Sequence, residues 1–108
     1  MRKIMMYEKS TCGTCRKERV YLSNSKIGFE VIDIVKNPPT REFLERNIDE
    51  SNLDAFLNKY SKPYRENKLA EIRPTKSELI DLMLKDPNLI KRPILIEGKK
   101  VFFGYTEI

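Results

Sequence analysis

The 108-residue sequence contains no histidine and no tryptophan, and it has only two cysteines. A zinc site needs four ligands, so with one cysteine pair and no histidine it would require a dimer or carboxylates. The chain also lacks a long apolar run, because Glu8 and Lys9 interrupt the apolar residues of the N-terminus and no later run approaches a membrane span. We therefore expect no metal ion, no membrane contact and a cytoplasmic location.

The composition is that of a folded protein. Hydrophobic residues make up 40% and charged residues 34% of the chain, and no linker, repeat or low-complexity tract interrupts it. A chain of this length supports one modest core, so we predict a single domain spanning residues 1–108.

The net charge of +5 permits acidic partners but does not identify one. Basic residues are spread along the chain among sixteen acidic ones, and the one compact basic cluster, Arg16 to Arg19, contains Glu18. We favour a solvated surface of mixed charge over a dedicated nucleic-acid face, and we expect no direct contact with nucleic acid.

The first third of the sequence has the pattern of a βαβ unit. The predicted elements are a strand at 3–7, a helix at 15–26 and a β-branched strand at 29–35. Ser10 and Thr11 are candidate N-caps of the helix, and Gly28 is its candidate left-handed terminus. A crossover of this length implies a parallel strand pair.

The remaining sequence predicts several helices followed by a hairpin. Thr40 follows Pro38-Pro39 and begins a helix, a second short helix starts at Ser51, and residues 59–74 are expected to be irregular. Thr75 and Glu78 form a capping-box pattern before a helix that ends at Pro87. Two apolar runs around Glu97-Gly98 predict a β-hairpin. This order fits an α/β fold with a four-stranded mixed sheet flanked by helices.

Cys12 and Cys15 lie at the first predicted strand-to-helix turn. A thiolate at a helix N-terminus is stabilised by unpaired backbone N–H groups and the helix dipole, and Arg16 and Lys17 add positive charge. Cys15, one turn later on the same side, can close a disulfide with Cys12. We predict a redox-active pair in which Cys12 is the exposed nucleophile and Cys15 the buried resolving thiol. Two inert buried cysteines are the alternative.

Four segments taken together resemble the arsenate reductase (ArsC) family, which includes the Spx regulators and the YffB-type proteins. They are YEKSTCGTCRK, NPPTREFL, the Lys62-Pro63-Tyr64 triplet and IKRPILIEGKKVFFGY, and they occur in order over essentially all of the chain. The resemblance implies a thioredoxin-like fold with a helical insertion, at about residues 40–88, between the βαβ and ββ halves.

Arg92-Pro93 stands just before a predicted strand. In a thioredoxin-like sheet a proline at this place is commonly cis and lies against the CxxC motif, whereas a trans proline beginning an edge strand is the alternative. Arg92 is either a ligand for an oxyanion or thiolate or an ordinary surface arginine.

The resemblance also bears on activity. Members of the arsenate branch use a cysteine at the position of Cys12 to attack arsenate, with glutathione and glutaredoxin as reductants and three arginines around it. Only Arg92 matches one of these arginines, since Asn58 and Gly104 occupy the other two positions. Each missing charge-assisted contact is worth about 1.5–3 kcal/mol, so we expect inefficient arsenate reduction. Cys15 is absent from that branch but typical of Spx.

We therefore expect a thiol-disulfide reductase that needs no bound cofactor and uses glutathione, glutaredoxin or thioredoxin. The alternatives are an Spx-like regulator that binds the RNA polymerase α subunit and, less favoured, an arsenate reductase. Asn52 stands where Spx proteins have a glycine at this contact. The expected catalytic residues are Cys12, Cys15 and Arg92. The expected substrate-binding residues are Ser10, Thr11, Gly13, Thr14, Arg16, Arg92 and Pro93.

Family members begin a final helix where this sequence stops, at Ile108. From the resemblance we expect one flank of the sheet to be bare or differently covered, and the stability to be lower.

Overall fold

A computed structural model of the chain describes residues 3–108 and divides into two compact units. One contains the described residues up to Asn37 together with Arg92–Ile108, and the other is Pro38–Lys91. Residues 1 and 2, which the predicted domain includes, lie outside the described part. That both units form one domain stays a prediction. Within residues 3–108, no helix has the length and apolar character needed to cross a membrane.

The first unit is built on a four-stranded mixed sheet. Its elements are β1 (Lys3–Glu8), α1 (Gly13–Asn24), β2 (Gly28–Asp33), β3 (Ile94–Glu97) and β4 (Lys100–Phe103). The strand order is β2-β1-β3-β4, with β1 parallel to β2 and β3 antiparallel to both β1 and β4. Helix α1 is the crossover that the parallel pair requires. The predicted α/β fold with a mixed sheet is confirmed.

The core of this unit joins α1 to the sheet. Alternate residues of β1 are buried, and Ile4 and Met6 form a fully buried cluster with Cys15 and Leu22 of α1 and Leu95 of β3. Fully burying a large apolar side chain is worth about 1.5–3 kcal/mol, so these residues fix the rotation of α1 on the sheet. The cysteine at position 15 is therefore part of the core.

Helix α1 begins earlier than the sequence predicts. Its N-cap is Cys12, whose backbone is extended (φ −83°, ψ 120°) and whose sulfur accepts a hydrogen bond from the Cys15 N–H at 3.4 Å. The prediction that Ser10 or Thr11 caps the helix was wrong, because the thiol itself takes the capping position.

The C-terminal end of α1 also differs from the prediction. The left-handed residue is Lys26 (φ +58°), and the N–H of the following Ile27 bonds to the Leu22 carbonyl to close the helix end. Gly28 was expected in this role, but it is the first residue of β2, where it pairs with Lys3.

The second unit is helical. Its elements are α2 (Arg41–Asn47), a 3₁₀ helix (Glu50–Phe56), α3 (Lys62–Glu66), α4 (Lys76–Lys85) and a short 3₁₀ helix (Pro87–Leu89). The Arg41 side chain bonds to Asp81 of α4, and Lys76 Nζ donates to the Glu45 carbonyl at 2.6 Å. These contacts connect α2 to α4. The fully buried side chains of the unit are Leu44, Leu79, Ile80, Met83, Leu89 and Ile90.

Most helix starts in this unit follow the sequence. Thr40 caps α2, and Thr75 and Glu78 form the complete capping box of α4, so both predictions are confirmed. Asp49 rather than Ser51 caps the Glu50–Phe56 helix, because its carboxylate accepts from both the N–H and the hydroxyl of Ser51. The stretch 59–74, expected to be irregular, contains α3, which Ser61 caps.

The residues after β4 lie along α1. The Thr106 N–H donates to Glu18 Oε1 at 2.7 Å, the Tyr21 hydroxyl donates to the Ile108 carbonyl at 2.8 Å, and Lys17 Nζ lies 4.2 Å from the centre of the Tyr105 ring. Glu18 is fully buried, and its Oε2 has no hydrogen-bond partner among the described residues. The charged residues around Glu18 in the sequence suggest a surface position, but its carboxyl group lies in the interior.

Replacing Lys26 with glycine should stabilise the protein. A left-handed conformation costs a residue with a Cβ about 1–2 kcal/mol, and glycine avoids this cost while losing somewhat more entropy on folding. We expect Lys26→Gly to raise the free energy of unfolding by about 1 kcal/mol, measured by urea denaturation. The matched control is Ser23→Gly, which should lower it by about 0.5–1 kcal/mol because Ser23 is an exposed residue inside α1. Destabilisation by both changes would contradict the conformational argument.

Replacing Glu18 with glutamine should alter the pH dependence of stability. Burial raises the pKa of Glu18 above its ordinary value of 4.5, the Glu107 charge adds to this, and the hydrogen bond from Thr106 partly opposes it. A group whose pKa is raised by folding stabilises the protein fully below the unfolded pKa, and this contribution is lost as the pH rises through the folded pKa. Glutamine keeps the acceptor but does not ionise. The stability of Glu18→Gln relative to wild type should therefore increase between pH 4 and pH 7.

Urea unfolding at several pH values measures this difference. Ser23→Ala, which changes an exposed residue that does not ionise, is the control and should show no pH dependence relative to wild type. A Glu18→Gln difference that stays constant over the same range would exclude a shifted pKa at Glu18.

Candidate functional site

Cys12 is the half-exposed sulfur at the start of α1. Burial opposes ionisation of this thiol, but hydrogen bonds from the Cys15 thiol and backbone, together with the hydrogen bond and charge of Arg92, hold its pKa below the usual 9.0. The Cys12 N–H donates to the Lys9 carbonyl at 2.9 Å, which fixes the turn between β1 and α1. This is the environment of a nucleophilic cysteine: partly accessible, at a helix start and beside a cation.

Cys15 has the opposite character. It is fully buried in the core of the first unit, and this burial raises the pKa of its thiol to about 12. The neighbouring Cys12 raises it further, whereas a backbone hydrogen bond from Lys9 and the charge of Arg92 oppose the rise. Both cysteines are free thiols in this structure. One thiol is therefore set to ionise and the other to keep its proton.

Arg92 and Pro93 belong to the same unit as the cysteines. The Arg92-Pro93 peptide bond is cis. Arg92 is half-buried, and its guanidinium bonds to the Cys12 sulfur. The Pro93 carbonyl accepts the Gly104 N–H at 2.8 Å. The role of Arg92 as a ligand for an oxyanion or thiolate stays a prediction.

The remaining predicted site residues surround Cys12 on the exposed side. Ser10, Thr11, Gly13, Thr14 and Arg16 are all exposed. A Cβ built on Gly13 meets nothing within 4 Å, so the space in front of the helix start is open. These residues are accessible to a substrate, and their role in binding one stays a prediction.

Lys9 is the participant that sequence reasoning missed. Its carbonyl accepts the Cys12 N–H and its own N–H bonds to the Cys15 sulfur, so the backbone of one residue touches both cysteines. The signal could not come from the side chain, because any residue supplies these backbone groups. The position of Lys9 directly after β1 is the feature that could have indicated its role.

The two positions where the resemblance implies arginines are occupied for structural reasons. In the second unit, the Asn58 backbone N–H donates to the Leu89 carbonyl at 2.8 Å and its side-chain amide to the Asn88 carbonyl at 3.3 Å. In the first unit, Gly104 is buried with φ +93°, a conformation that favours glycine. Neither residue supplies a cation.

The chemistry available at this site is that of a dithiol. Two free thiols of unequal acidity are held one helical turn apart with one guanidinium beside them. Among residues 3–108, no group of three or more histidine, cysteine, aspartate or glutamate side chains is arranged to hold a metal ion.

Comparison with known proteins agrees with this fold. The family model described as the ArsC family matches residues 7–107. The uncharacterized protein YusI of Bacillus subtilis is 34% identical over 108 residues, covering 96% of this chain and 92% of YusI. The arsenate reductase of Escherichia coli is 38% identical over 98 residues, covering 89% and 70% of the two chains. The global transcriptional regulator Spx of Streptococcus pneumoniae is 28% identical over 106 residues, covering 96% and 80%.

A solved structure extends the likeness to the backbone. The possible arsenate reductase from Streptococcus mutans superposes with a TM-score of 0.84 at 30% sequence identity, covering 97% of this chain and 92% of the other. The predicted thioredoxin-like α/β fold is thereby confirmed, and so is the predicted family. The chain belongs to the ArsC family.

Proposed function

We propose that the protein is a thiol-disulfide oxidoreductase in which Cys12 and Cys15 form the redox-active centre. The observation that carries this proposal is the unequal placement of the two thiols: Cys12 is half-exposed at the N-cap of α1, whereas Cys15 is fully buried in the core. The pKa of Cys12 is lowered, whereas that of Cys15 is raised to about 12, although the two sulfurs interact directly. Such a pair has a defined order of reaction, which two inert core cysteines would not need.

The first step is attack by the Cys12 thiolate on a disulfide of the substrate. A bond forms between Cys12 and one substrate sulfur, the substrate S–S bond breaks, and the other half leaves as a thiolate that takes up a proton. The exposed residues Ser10, Thr11, Gly13, Thr14 and Arg16 and the half-buried Arg92 are the proposed contacts for the substrate, whereas the predicted contact Pro93 is buried.

The second step is attack by Cys15 on the Cys12 sulfur of this mixed disulfide. The Cys12–Cys15 bond forms, the substrate thiol is released, and two electrons have passed from the protein to the substrate. Once Cys12 is bonded to the substrate, its opposing effect on Cys15 ends while the Arg92 charge remains. Ionisation of Cys15 therefore becomes easier when the thiolate is needed.

The cycle closes when an external thiol reduces the Cys12–Cys15 disulfide. Two molecules of glutathione, or one reduced thioredoxin or glutaredoxin, supply the two electrons and become oxidised. The relative named arsenate reductase supports placing this protein among reductases, and the site described here needs no bound cofactor for these steps.

Arg92 is proposed to be the cation that holds the Cys12 thiolate. Changing it to glutamine removes the charge that lowers the pKa of Cys12. In Arg92→Gln the pKa of Cys12 should rise, so a smaller fraction is ionised at pH 7 and alkylation by iodoacetamide should be slower. The rate of alkylation as a function of pH, followed by mass spectrometry, gives the pKa in both proteins.

The matched control is Lys99→Gln, which removes an exposed cation at the tip of the β3–β4 hairpin. It should leave the alkylation profile within experimental error of wild type. Identical profiles for Arg92→Gln and wild type would refute the role of Arg92.

The cysteine variants test the reaction itself. With a glutathione mixed disulfide as substrate and NADPH consumption coupled through glutaredoxin or thioredoxin, Cys12→Ser should show no turnover. Cys15→Ser should retain the first step and accumulate a covalent glutathione adduct on Cys12, which mass spectrometry detects. Turnover by Cys15→Ser at the wild-type rate and without an adduct would exclude the resolving role. Arsenate as the substrate should give much slower turnover in the same assay.

A second candidate is a regulator without turnover, whose disulfide controls binding to the RNA polymerase α subunit. The relative named global transcriptional regulator Spx favours it. Absence of turnover in every coupled assay, together with capture of the purified α subunit by only one redox form, would replace the enzyme proposal with this one.

A further inference from the structure

The second unit contains a cavity that the thiol chemistry does not use. Its volume is about 260 Å³, and it opens at the protein surface. The lining residues, contributed by the end of α3 and the segments before and after it, are Lys59, Tyr64, Arg65, Lys68, Ala70 and Glu71. A cavity of this size is below the range of drug-sized ligand sites and suits a small metabolite.

The charge of the lining selects an anion. Three of the six lining residues are cations and one is a carboxylate, so the wall has a net charge of about +2. Lys59 also lies 3.6 Å from Asp54, but that carboxylate is shared with Arg73 at 3.2 Å. No carboxylate lies within 4.0 Å of the ammonium group of Lys68 or the guanidinium of Arg65 among the ion pairs of the described residues. An organic anion with about two negative charges matches this wall.

The backbone fixes the position of Lys68 on the cavity wall. This residue follows the end of α3 with φ +52°, and the Leu69 N–H bonds to the Tyr64 carbonyl, which closes the helix end. Glycine or asparagine is the usual residue at such a position, and lysine is strained there. Lys26 takes the same conformation at the end of α1 without lining the cavity, so the helix end accounts for this backbone, and what it supplies to the cavity is a fixed position for Lys68.

The neighbouring residues supply the rest of a binding site. Arg65 Nη1 donates to the Tyr60 carbonyl at 2.9 Å, which restrains the guanidinium while leaving other N–H donors available. The Tyr64 ring and the Ala70 methyl group provide apolar wall. A phosphate group pairs well with an arginine and lysines, and a phosphomonoester carries about −1.5 to −2 charges at pH 7.

We propose that this cavity, defined by Lys59, Tyr64, Arg65, Lys68, Ala70 and Glu71, binds the phosphate group of a small organic phosphomonoester. The cations neutralise the phosphate, and Tyr64 and Ala70 contact its organic part. The site lies wholly within Pro38–Lys91, and its occupancy is measurable without any thiol reaction.

The test uses phenyl phosphate, inorganic phosphate and uncharged benzyl alcohol as probes of the full chain. Titrations followed by amide NMR shifts should show saturable changes confined to residues 59–71. Phenyl phosphate should bind more tightly than inorganic phosphate, and benzyl alcohol should not bind. Lys68→Asn, which suits the left-handed backbone, should weaken phenyl phosphate binding about tenfold.

The chain offers a closely matched control. Lys26 has the same left-handed conformation at the end of α1, with φ +58°, and it does not line the cavity. Lys26→Asn therefore makes the same change in charge and conformation elsewhere and should leave the affinity within twofold of wild type. Glu71→Gln removes the one repelling carboxylate and should tighten binding about threefold.

Three results would each overturn the proposal. They are the absence of saturable shifts in wild type, an equal loss of affinity in Lys26→Asn and Lys68→Asn, and an affinity of Glu71→Gln no higher than that of wild type. An equal loss of affinity in the two lysine variants would show that phosphate binding depends only on the overall charge of the protein.

Discussion

The burial of Cys15 is the constraint on which the redox site depends. The same side chain that packs α1 against Met6 and Leu95 carries the second thiol, so the rotation of the helix on the sheet also fixes the position of the site. Cys12, three positions earlier, is the N-cap of the same helix, and its sulfur accepts the Cys15 N–H. The contrast between the buried Cys15 thiol and the accessible Cys12 thiol thus follows from helix geometry. It would disappear if α1 turned by one residue.

Two residues, Arg92 and Lys9, each contribute to both cysteines. Arg92 lowers the pKa of Cys12 and opposes the rise at Cys15, so a single guanidinium acts on both thiols. Lys9 contacts both cysteines through its backbone N–H and carbonyl. Asn58 and Gly104 occupy the two further positions where the resemblance implies cations, and both have structural roles. Asn58 hydrogen-bonds to the carbonyls of Asn88 and Leu89, and Gly104 takes a positive φ. Restoring an arginine at position 104 would therefore have to overcome backbone strain.

The elements of the sheet and the cysteine pair could be predicted because their signals are local. Strand composition, the Thr75-to-Glu78 capping box and the spacing of Cys12 and Cys15 each depend on a few adjacent residues. The failures have a different origin. Glu18 is flanked by charged residues and looks solvent-exposed in the sequence, yet Thr106, 88 positions later, covers it. Glycine is the residue best suited to the left-handed conformation that closes α1. This conformation falls on Lys26, because Gly28 is already paired in β2. Long-range packing and strand register decided both cases.

Arg92 also bears on which electrophile the site can accept. An arsenate ion carries negative charge and has to approach a nucleophile that is itself an anion, so it needs cations beyond those that stabilise the thiolate. Here the guanidinium of Arg92 is already bonded to Cys12, and an oxyanion would have to compete with the thiolate for it. A disulfide is neutral and needs no such cation, and Cys15, the thiol proposed to resolve the mixed disulfide, lies one turn away. The charge at Arg92 and the second thiol at Cys15 therefore both support the proposal that the substrate is a disulfide.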